Sequence, residues 1–277
     1  MGSPPSPVEG IARALTIAGS DSGGGAGIQA DLKVFLALGC HGMSAVTALT
    51  AQNTVGVRGV FEVSPDFVRA QIAAVAEDIG IDAAKTGMLA SAPLVATVAD
   101  AVSEFRIAPL VVDPVFISKH RDPLLAVDAV QVLTEKLLPL ATVITPNLFE
   151  ASELAGGRIT TLTEMKDAAQ ALHAMGPAAV LVKGGHLPGE RAVDVFYDGV
   201  RMSELDGPRY DTEDTHGTGC ALSAAIAAYL AQGTELLHAV GAAKEFVAGA
   251  IRHGLRIGSG YGPVNPGWRP VRGDTPS

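Results

Sequence analysis

Cysteine is scarce in this sequence: Cys40 and Cys220 are the only two, and they lie far apart in a chain of 277 residues. No CxxC pair occurs, which argues against a structural zinc site and against a disulfide framework. Two isolated thiols are typical of a reducing compartment. We therefore predict a cytoplasmic protein.

Long apolar segments and excess positive charge are also missing. No segment approaches the roughly 18 uncharged apolar residues that a membrane span requires. Residues 1–12 lack the apolar core of a signal peptide and are interpreted as a loose leader. The 20 Lys and Arg residues are outnumbered by 29 Asp and Glu residues, which gives a net charge of −9. Since phosphate backbones are bound by basic faces, we predict neither a membrane nor a nucleic-acid partner.

What the sequence does contain is an alternation of short apolar segments with amphipathic helical ones. Residues 14–18 predict a buried strand, and the helical spacing that follows ends at Gly39. The alternation continues to an antiparallel hairpin predicted to turn at Asp198 and Gly199, and two long helices begin near Gly219 and Glu235. This order indicates one α/β domain over residues 13–266, with a parallel sheet between helices and a tail at 267–277. Ligands are expected at the carboxyl ends of its strands.

Several polar segments follow predicted strands. The first, GSDSGGGAGIQAD, lacks the distant acidic residue of a dinucleotide fingerprint, and GxxxxGK[ST] and GxSxG motifs do not occur at all. Its glycines let a ligand approach closely. The alternative is a tight turn that leaves Asp21 and Asp31 in solvent. In AKTGM, Lys85 likewise lies near the end of a predicted strand. Met88 fits either a position in the core or one in contact with a bound ligand.

Oxygen ligands and a lysine follow later strands. Asp113 in VVDPV, with Asn147 and Glu150 in TPNLFE, would converge at one sheet edge and supply the oxygens that Mg²⁺ prefers. The alternative is that Asn147 caps a helix and Glu150 complements its dipole. The spacing leaves both open. Lys183 in LVKGGH would either meet a phosphate or lie exposed.

The segment HGTGC at residues 216–220 is the most specialised. Successive N–H groups of Gly217, Thr218, Gly219 and Cys220 at a helix start would bind an anion. The thiol pKa, ordinarily about 8.5, is expected to fall there, so that Cys220 accepts a proton from a neighbouring hydroxyl. The alternative is a small buried cysteine, which is our interpretation of Cys40. The histidines show no metal-ligand spacing and are interpreted as structural.

In this order, the segments resemble the bacterial hydroxymethylpyrimidine/phosphomethylpyrimidine kinases of thiamine biosynthesis, in the ribokinase-like superfamily. The resemblance extends from about residue 14 to residue 266 and rests on TIAGSDSGGGAGIQADLK, TALTAQNT, AKTGML, VVDPV, DPLL, TPNLFEA, VLVKGGH, HGTGCALSAAI and GYGPVN. It implies a three-layer α/β/α fold with a mainly parallel central sheet and a small β flap. It also implies that FISKHRDPLL forms a flap near the substrate, and that the protein is a homodimer.

The activity implied by the resemblance is two successive phosphoryl transfers that use ATP and Mg²⁺. The first goes to the 5-hydroxymethyl group of 4-amino-5-hydroxymethyl-2-methylpyrimidine, and the second goes to the resulting monophosphate. The pyrimidine site would comprise Gly19, Ala26, Asp31, Gln52, Met88 and Val115. Asp113 and Glu150 would hold the metal, and Asn147, Lys183 and Lys244 would lie near ATP.

The resemblance also implies roles for residues 217–220, whose N–H groups would stabilise the transferring phosphoryl group. Cys220 stands where most sugar kinases of the superfamily have an aspartate base, and a cysteine there is typical of pyrimidine kinases and related pyridoxal kinases. Two alternatives remain open at this point: a pyridoxal kinase, and a non-catalytic protein that senses the pyrimidine. Asp31 and Gln52 favour the aminopyrimidine.

Overall fold

The computed structural model of the protein describes residues 10–116, 127–185 and 187–269. The strands in these ranges are β1 (Arg13–Ala18), β2 (His41–Val46), β3 (Ala48–Asn53), β4 (Gly56–Glu62), β5 (Ala83–Thr86), β6 (Leu110–Val112), β7 (Val143–Ile144), β8 (Val180–Val182), β9 (Asp194–Tyr197) and β10 (Met202–Leu205). The helices are α1 (Gly27–Ala37), α2 (Pro65–Asp78), α3 (Ala92–Glu104), α4 (Val127–Val132), α5 (Leu148–Ala155), α6 (Leu162–His173), α7 (Thr218–Ala231) and α8 (Leu236–Arg252).

Eight of the strands form one sheet in the order β10-β9-β8-β7-β6-β5-β1-β2. The six neighbouring strands from β8 to β2 in this order are parallel, and β9 is antiparallel to both of its neighbours, β8 and β10. The predicted hairpin is confirmed: Tyr197 pairs with Met202, and Gly199 at its turn has φ +86°, where a side chain would be strained.

Two apolar clusters separate the sheet from its helices. Phe35 of α1 and Phe246 of α8 belong to one cluster, together with the buried alanines of α7. Ile72 of α2 and Leu94 of α3 belong to the other, on the opposite face. Side chains alternate between the two clusters along the central strands β6, β7 and β8, as the pleat requires. This arrangement confirms the three-layer α/β/α fold.

The flap differs in detail from the expectation. Residues 45–54 predict one strand, but the chain divides at Thr47 into β2 of the main sheet and β3 of a separate two-stranded sheet with β4. Thr47 is buried, and its hydroxyl donates to the carbonyl of Met88 at 2.7 Å, which anchors the bend. The hairpin of β3 and β4 corresponds to the small β flap. The other expected flap, FISKHRDPLL, lies outside the described residues except for Phe116.

The carboxyl-terminal part of the domain extends past the expected boundary at residue 266. Trp268 packs on α8, where a Cβ on Gly249 would collide with the indole ring, and its ring N–H donates to the carbonyl of Phe246 at 3.0 Å. The first residues of the predicted tail therefore belong to the domain. In the described ranges, no helix combines the length and the hydropathy that crossing a membrane requires.

Candidate active site

A cavity of about 1030 Å³ opens at the carboxyl ends of β1, β5, β6, β7 and β8. Every predicted site residue except Asp31 lines it. Because parallel strands carry their following loops to one edge, segments far apart in the sequence meet there. The cavity is therefore the candidate active site.

Two glycine loops form one wall. Gly217 adopts φ +79°, and a Cβ on it would collide with the carbonyl oxygen of Gly25. Gly27 has φ +55° and lies against the carbonyl of Gly19 in the same way. Both positions thus require glycine for conformation and for close approach. The contact of Gly217 with Gly25 holds residues 217–220 directly against the first glycine-rich loop.

The start of α7 supplies hydrogen-bond donors to the cavity. Gly217 is its amino-terminal cap and provides no side chain. The N–H groups of Gly219 and Cys220 donate to no described residue. A Cβ on Gly219 would lie 3.3 Å from Lys183 Nζ and 3.6 Å from Asp113 Oδ2, so these side chains adjoin the helix start. Residues 217–220, hereafter the anion cradle, can accept a phosphoryl group.

The expected fall in the Cys220 pKa is wrong. Burial of the thiol raises its pKa to about 11, and the Lys85 ammonium and the Gly27 N–H only partly offset that effect. The nearby carboxylates of Asp31 and Asp113 raise it further. A helix start lowers a thiol pKa where positive potential dominates, whereas here two acidic side chains lie near the thiol, Asp31 on α1 and Asp113 after β6. The thiol is therefore protonated near neutral pH.

A buried ion pair lies beneath the anion cradle. Lys85 Nζ is 2.8 Å from Asp31 Oδ2, and both side chains are fully inaccessible. Thr16 donates a further hydrogen bond to Asp31 Oδ2 at 2.6 Å. Burial alone would lower the pKa of Lys85, but the Asp31 carboxylate raises it above its ordinary value. Asp31 thus acts on the cavity through Lys85, and its placement does not support direct contact with a pyrimidine.

A second set of charges surrounds Asp113 at the end of β6. Lys183 Nζ and the Thr145 hydroxyl donate to Asp113 Oδ1 at 2.9 Å and 3.0 Å. Burial alone would raise the pKa of Asp113, but Lys183 and Lys85 hold it below its ordinary value. Lys183 is accordingly paired rather than exposed.

Asn147 and Glu150 satisfy both interpretations left open by their spacing. They form a reciprocal capping box at the start of α5, with hydrogen bonds of 2.8 Å and 3.0 Å. Both also line the cavity. Burial raises the pKa of Glu150 to about 7, and Asp113 adds to the rise while Lys183 opposes it. A carboxyl group in this state gains from a cation nearby.

The acceptor side of the cavity is built from the flap and the first loop. Gln52 sits at a β-bulge in β3, a feature that redirects side chains. Met88 is buried, and a Cβ on Gly19 would lie 2.5 Å from its Cε. Ala26 and Val115 complete this side. Met88 is therefore both a core residue and a ligand wall.

Lys244 of α8 lies at another part of the cavity wall. Its Nζ is 2.6 Å from Asp194 Oδ2 and 2.9 Å from the carbonyl of Ala192. Asp194 Oδ1 accepts from the Gly184 N–H at 2.8 Å. The pair thus connects α8 to the ends of β8 and β9.

Sequence reasoning missed three groups at this site: Asp194, the pair of Asp21 and His216, and the charge role of Lys85. Asp21 and Asp31 are buried rather than solvated. A charged residue in a short strand whose other residues are two alanines and a threonine was the available signal for Lys85. The partners of the other groups are distant in sequence, and no local pattern identifies them.

The chain is similar to known proteins in sequence and in fold. The sequence model of phosphomethylpyrimidine kinase matches residues 21–265. The hydroxymethylpyrimidine/phosphomethylpyrimidine kinase of Streptomyces coelicolor is 55% identical over 254 residues, which are 92% of this chain and 94% of that protein. An ADP complex of Bacillus subtilis pyridoxal kinase is similar with a TM-score of 0.87 at 44% identity, covering 93% and 98% of the two chains. A phosphomethylpyrimidine kinase from Clostridium difficile gives a TM-score of 0.77 at 43% identity, covering 87% and 99%.

Proposed function

The chain belongs to the phosphomethylpyrimidine kinase family, and from this premise we propose that it is an ATP-dependent kinase of thiamine biosynthesis. It phosphorylates 4-amino-5-hydroxymethyl-2-methylpyrimidine and then the monophosphate. One observation carries the proposal: the anion cradle, the Lys183–Asp113 pair and Gln52 line a single cavity. Such a cavity brings a phosphoryl donor and a small polar acceptor together, and positioning supplies most of the catalysis in phosphoryl transfer.

The pyrimidine ring is proposed to lie on the flap side of the cavity. A glutamine carboxamide pairs with an amino group and an adjacent ring nitrogen, as it does on the edge of adenine. Gln52 meets that requirement for a 4-aminopyrimidine. Met88 and Val115 offer apolar contacts to the faces of the ring, and Gly19 and Ala26 leave room for it.

Mg²⁺ is proposed to bind beside Asp113 and Glu150. In the described ranges, no three His, Cys, Asp or Glu side chains are placed to hold a metal by themselves. Mg²⁺ commonly takes one or two carboxylates together with waters and phosphate oxygens, so two carboxylates fit it. The raised pKa of Glu150 also fits a neighbouring cation. When bound, Mg²⁺ neutralises charge on the transferring phosphate groups.

ATP is proposed to extend from the anion cradle toward α8. Lys183 adjoins the cradle and is placed to contact phosphate oxygens. Lys244 is already paired with Asp194, so we propose that it shapes the nucleotide end of the cavity beside Val247 and Ala248. The homodimer that the resemblance implies stays a prediction.

Cys220 is proposed to receive the hydroxymethyl proton in the first transfer. With a pKa of about 11, about one thiol in ten thousand is ionised at pH 7. The proton can leave late in the loose transition state of phosphoryl transfer, so a small thiolate fraction slows the step without preventing it. The first transfer should therefore accelerate as pH rises.

Product formation with three acceptors tests the proposal. The full chain is incubated with ATP and Mg²⁺ and with the hydroxymethylpyrimidine, its monophosphate or pyridoxal, and phosphorylated products are quantified. We expect both pyrimidines to be converted. Conversion of pyridoxal alone would establish the second candidate, which the 44% identity to Bacillus subtilis pyridoxal kinase favours. Binding of the pyrimidine with no product would establish the non-catalytic alternative.

A further inference from the structure

The side chains of Asp21 and His216 line the cavity next to Gln52 and have no role in the steps described above. Resting on the proposed function, we propose that Asp21 and His216 are positioning residues that fix the orientation of the Gln52 carboxamide. That orientation directs the hydroxymethyl group of the pyrimidine toward the anion cradle.

Asp21 holds the first glycine-rich loop and the His216 ring together. Its Oδ1 accepts from the Gly23 N–H at 2.8 Å, and its Oδ2 accepts from the N–H groups of Gly25 and Ala26 at 3.0 Å and 2.8 Å. His216 Nε2 lies 2.9 Å from the same Oδ2. Burial alone would raise the pKa of Asp21, but His216 and the N–H groups of Gly23 and Ala26 lower it. An ionised carboxylate only accepts, so His216 Nε2 carries the hydrogen.

His216 is held on its other side by backbone contacts. Its N–H donates to the carbonyl of Gly262 at 3.0 Å, and its carbonyl accepts from the Val264 N–H at 3.1 Å. A Cβ on Gly25 would lie 2.5 Å from the ring. The His216 backbone is therefore fixed by these two hydrogen bonds, and its ring packs closely against Gly25.

The His216 N–H determines which end of the Gln52 carboxamide faces it. One terminal position of the carboxamide lies 3.5 Å from His216 Nε2. That position carries Nε2 of Gln52, so a donor faces the ring N–H, whose main acceptor is Asp21 Oδ2 at 2.9 Å. After a half-turn of the carboxamide, Oε1 would share this N–H with Asp21. The two ends exchange on a half-turn, and their hydrogen bonds decide between them. His216 therefore selects the orientation with Oε1 toward the ring.

Thr50 requires the same orientation independently. Its hydroxyl lies 2.9 Å from the carbonyl of Ser20, to which it donates its single hydrogen. The other terminal position of the Gln52 carboxamide, which carries Oε1, lies 3.3 Å from this hydroxyl. Because the Thr50 hydrogen is already used, two acceptors face each other there, and the same half-turn removes the conflict by bringing the carboxamide nitrogen to Thr50 Oγ1.

The orientation has a direct consequence for the substrate. Oε1 accepts from the 4-amino group on the His216 side, and the free N–H of Nε2 donates to the adjacent ring nitrogen on the Thr50 side. The 5-hydroxymethyl group neighbours the 4-amino group on the ring. It is therefore carried past His216 toward Gly217, which follows directly in the chain and begins the anion cradle. The opposite orientation would turn it toward the flap.

Calorimetric binding to the full chain tests this inference with two probes: the hydroxymethylpyrimidine and its analogue without the 4-amino group. His216→Met removes the ring N–H donor but keeps a side chain of similar length. We expect the aminopyrimidine Kd of this variant to rise about 10- to 30-fold, the effect of one or two hydrogen bonds. The analogue Kd and the Kd of a non-hydrolysable ATP analogue should change by less than about threefold. His216→Gln restores an N–H donor and should recover most of the loss.

A double-mutant cycle separates positioning from packing. In a Gln52→Ala background, His216→Met should add little further loss, because its effect acts through Gln52. Independent losses at the two positions, or equal losses for both pyrimidines, would overturn the inference. Wild-type protein that binds neither pyrimidine would overturn the proposed function itself. Nitrogen-15 NMR of the wild-type protein shows which ring nitrogen of His216 carries a hydrogen, and it does not depend on whether a variant folds. If Nε2 carries no hydrogen, the inference is overturned.

Discussion

Replacing Cys220 with alanine is expected to slow the two phosphoryl transfers unequally. The first transfer takes a proton from an alcohol, whereas the second attacks with a phosphate oxygen whose second pKa is about 6 and which is largely ionised at pH 7. A general base contributes about 10²- to 10⁴-fold to a rate. Because the thiol pKa is about 11, we expect the loss in the first transfer of Cys220→Ala to be small at pH 7 and to approach that range as the pH rises toward the thiol pKa. The second transfer should lose less than about tenfold at every pH.

The pH dependence of the wild-type enzyme follows from the same group. Because the thiolate is the basic form and its pKa is about 11, its fraction increases with pH throughout the range below that value. Between pH 7 and pH 9 the thiolate fraction grows about 100-fold. The rate of the first transfer should rise with pH in the same way until another step becomes rate-limiting. The rate of the second transfer should not show this rise.

Single-turnover measurements with each pyrimidine and excess enzyme separate the two transfers. Cys40→Ala is the matched control: Cys40 is buried, its Sγ lies 3.6 Å from the carbonyl of Ala228, and it does not line the cavity. We expect both transfers of that variant to keep the wild-type rate. If Cys220→Ala slows both transfers equally, or if the wild-type rate of the first transfer does not change with pH, then Cys220 contributes only to packing.

Three further substitutions test separate parts of the site. Gln52→Ala should weaken pyrimidine binding with the ATP KM nearly unchanged in steady-state assays; a parallel rise in both constants would indicate a folding defect. Lys85→Met leaves Asp31 buried without its partner, so urea unfolding should show a loss of about 3–5 kcal/mol, and adding Asp31→Asn should recover part of it. Gly217→Ala should abolish both transfers because its Cβ collides with Gly25, whereas Gly241→Ala, in open space on α8, should retain full activity and gain up to about 1 kcal/mol.

Local sequence patterns predicted most of the fold and the position of the site. Apolar periodicity depends on neighbours a few residues apart, so the alternation of strands and helices was legible in the sequence. The strand-end rule then placed Asp113 and Lys183 at one edge of the sheet, and both line the cavity together with the anion cradle. The bend at Thr47 was missed because its anchor, the Met88 carbonyl, lies far along the chain.

The protonation states and charge pairs of the site could be derived only from the tertiary structure. The sequence by itself determined that a cysteine would begin α7 inside a glycine turn, since that depends only on consecutive residues. Whether the thiol pKa falls or rises depends on burial and on charges brought from β5, β6 and α1, so the direction expected from the helix start alone was wrong. The pairing of Lys85 with Asp31, and of His216 with Asp21, likewise joins residues far apart in sequence. Electrostatic and hydrogen-bond energies act through space, and only the folded chain sets those distances.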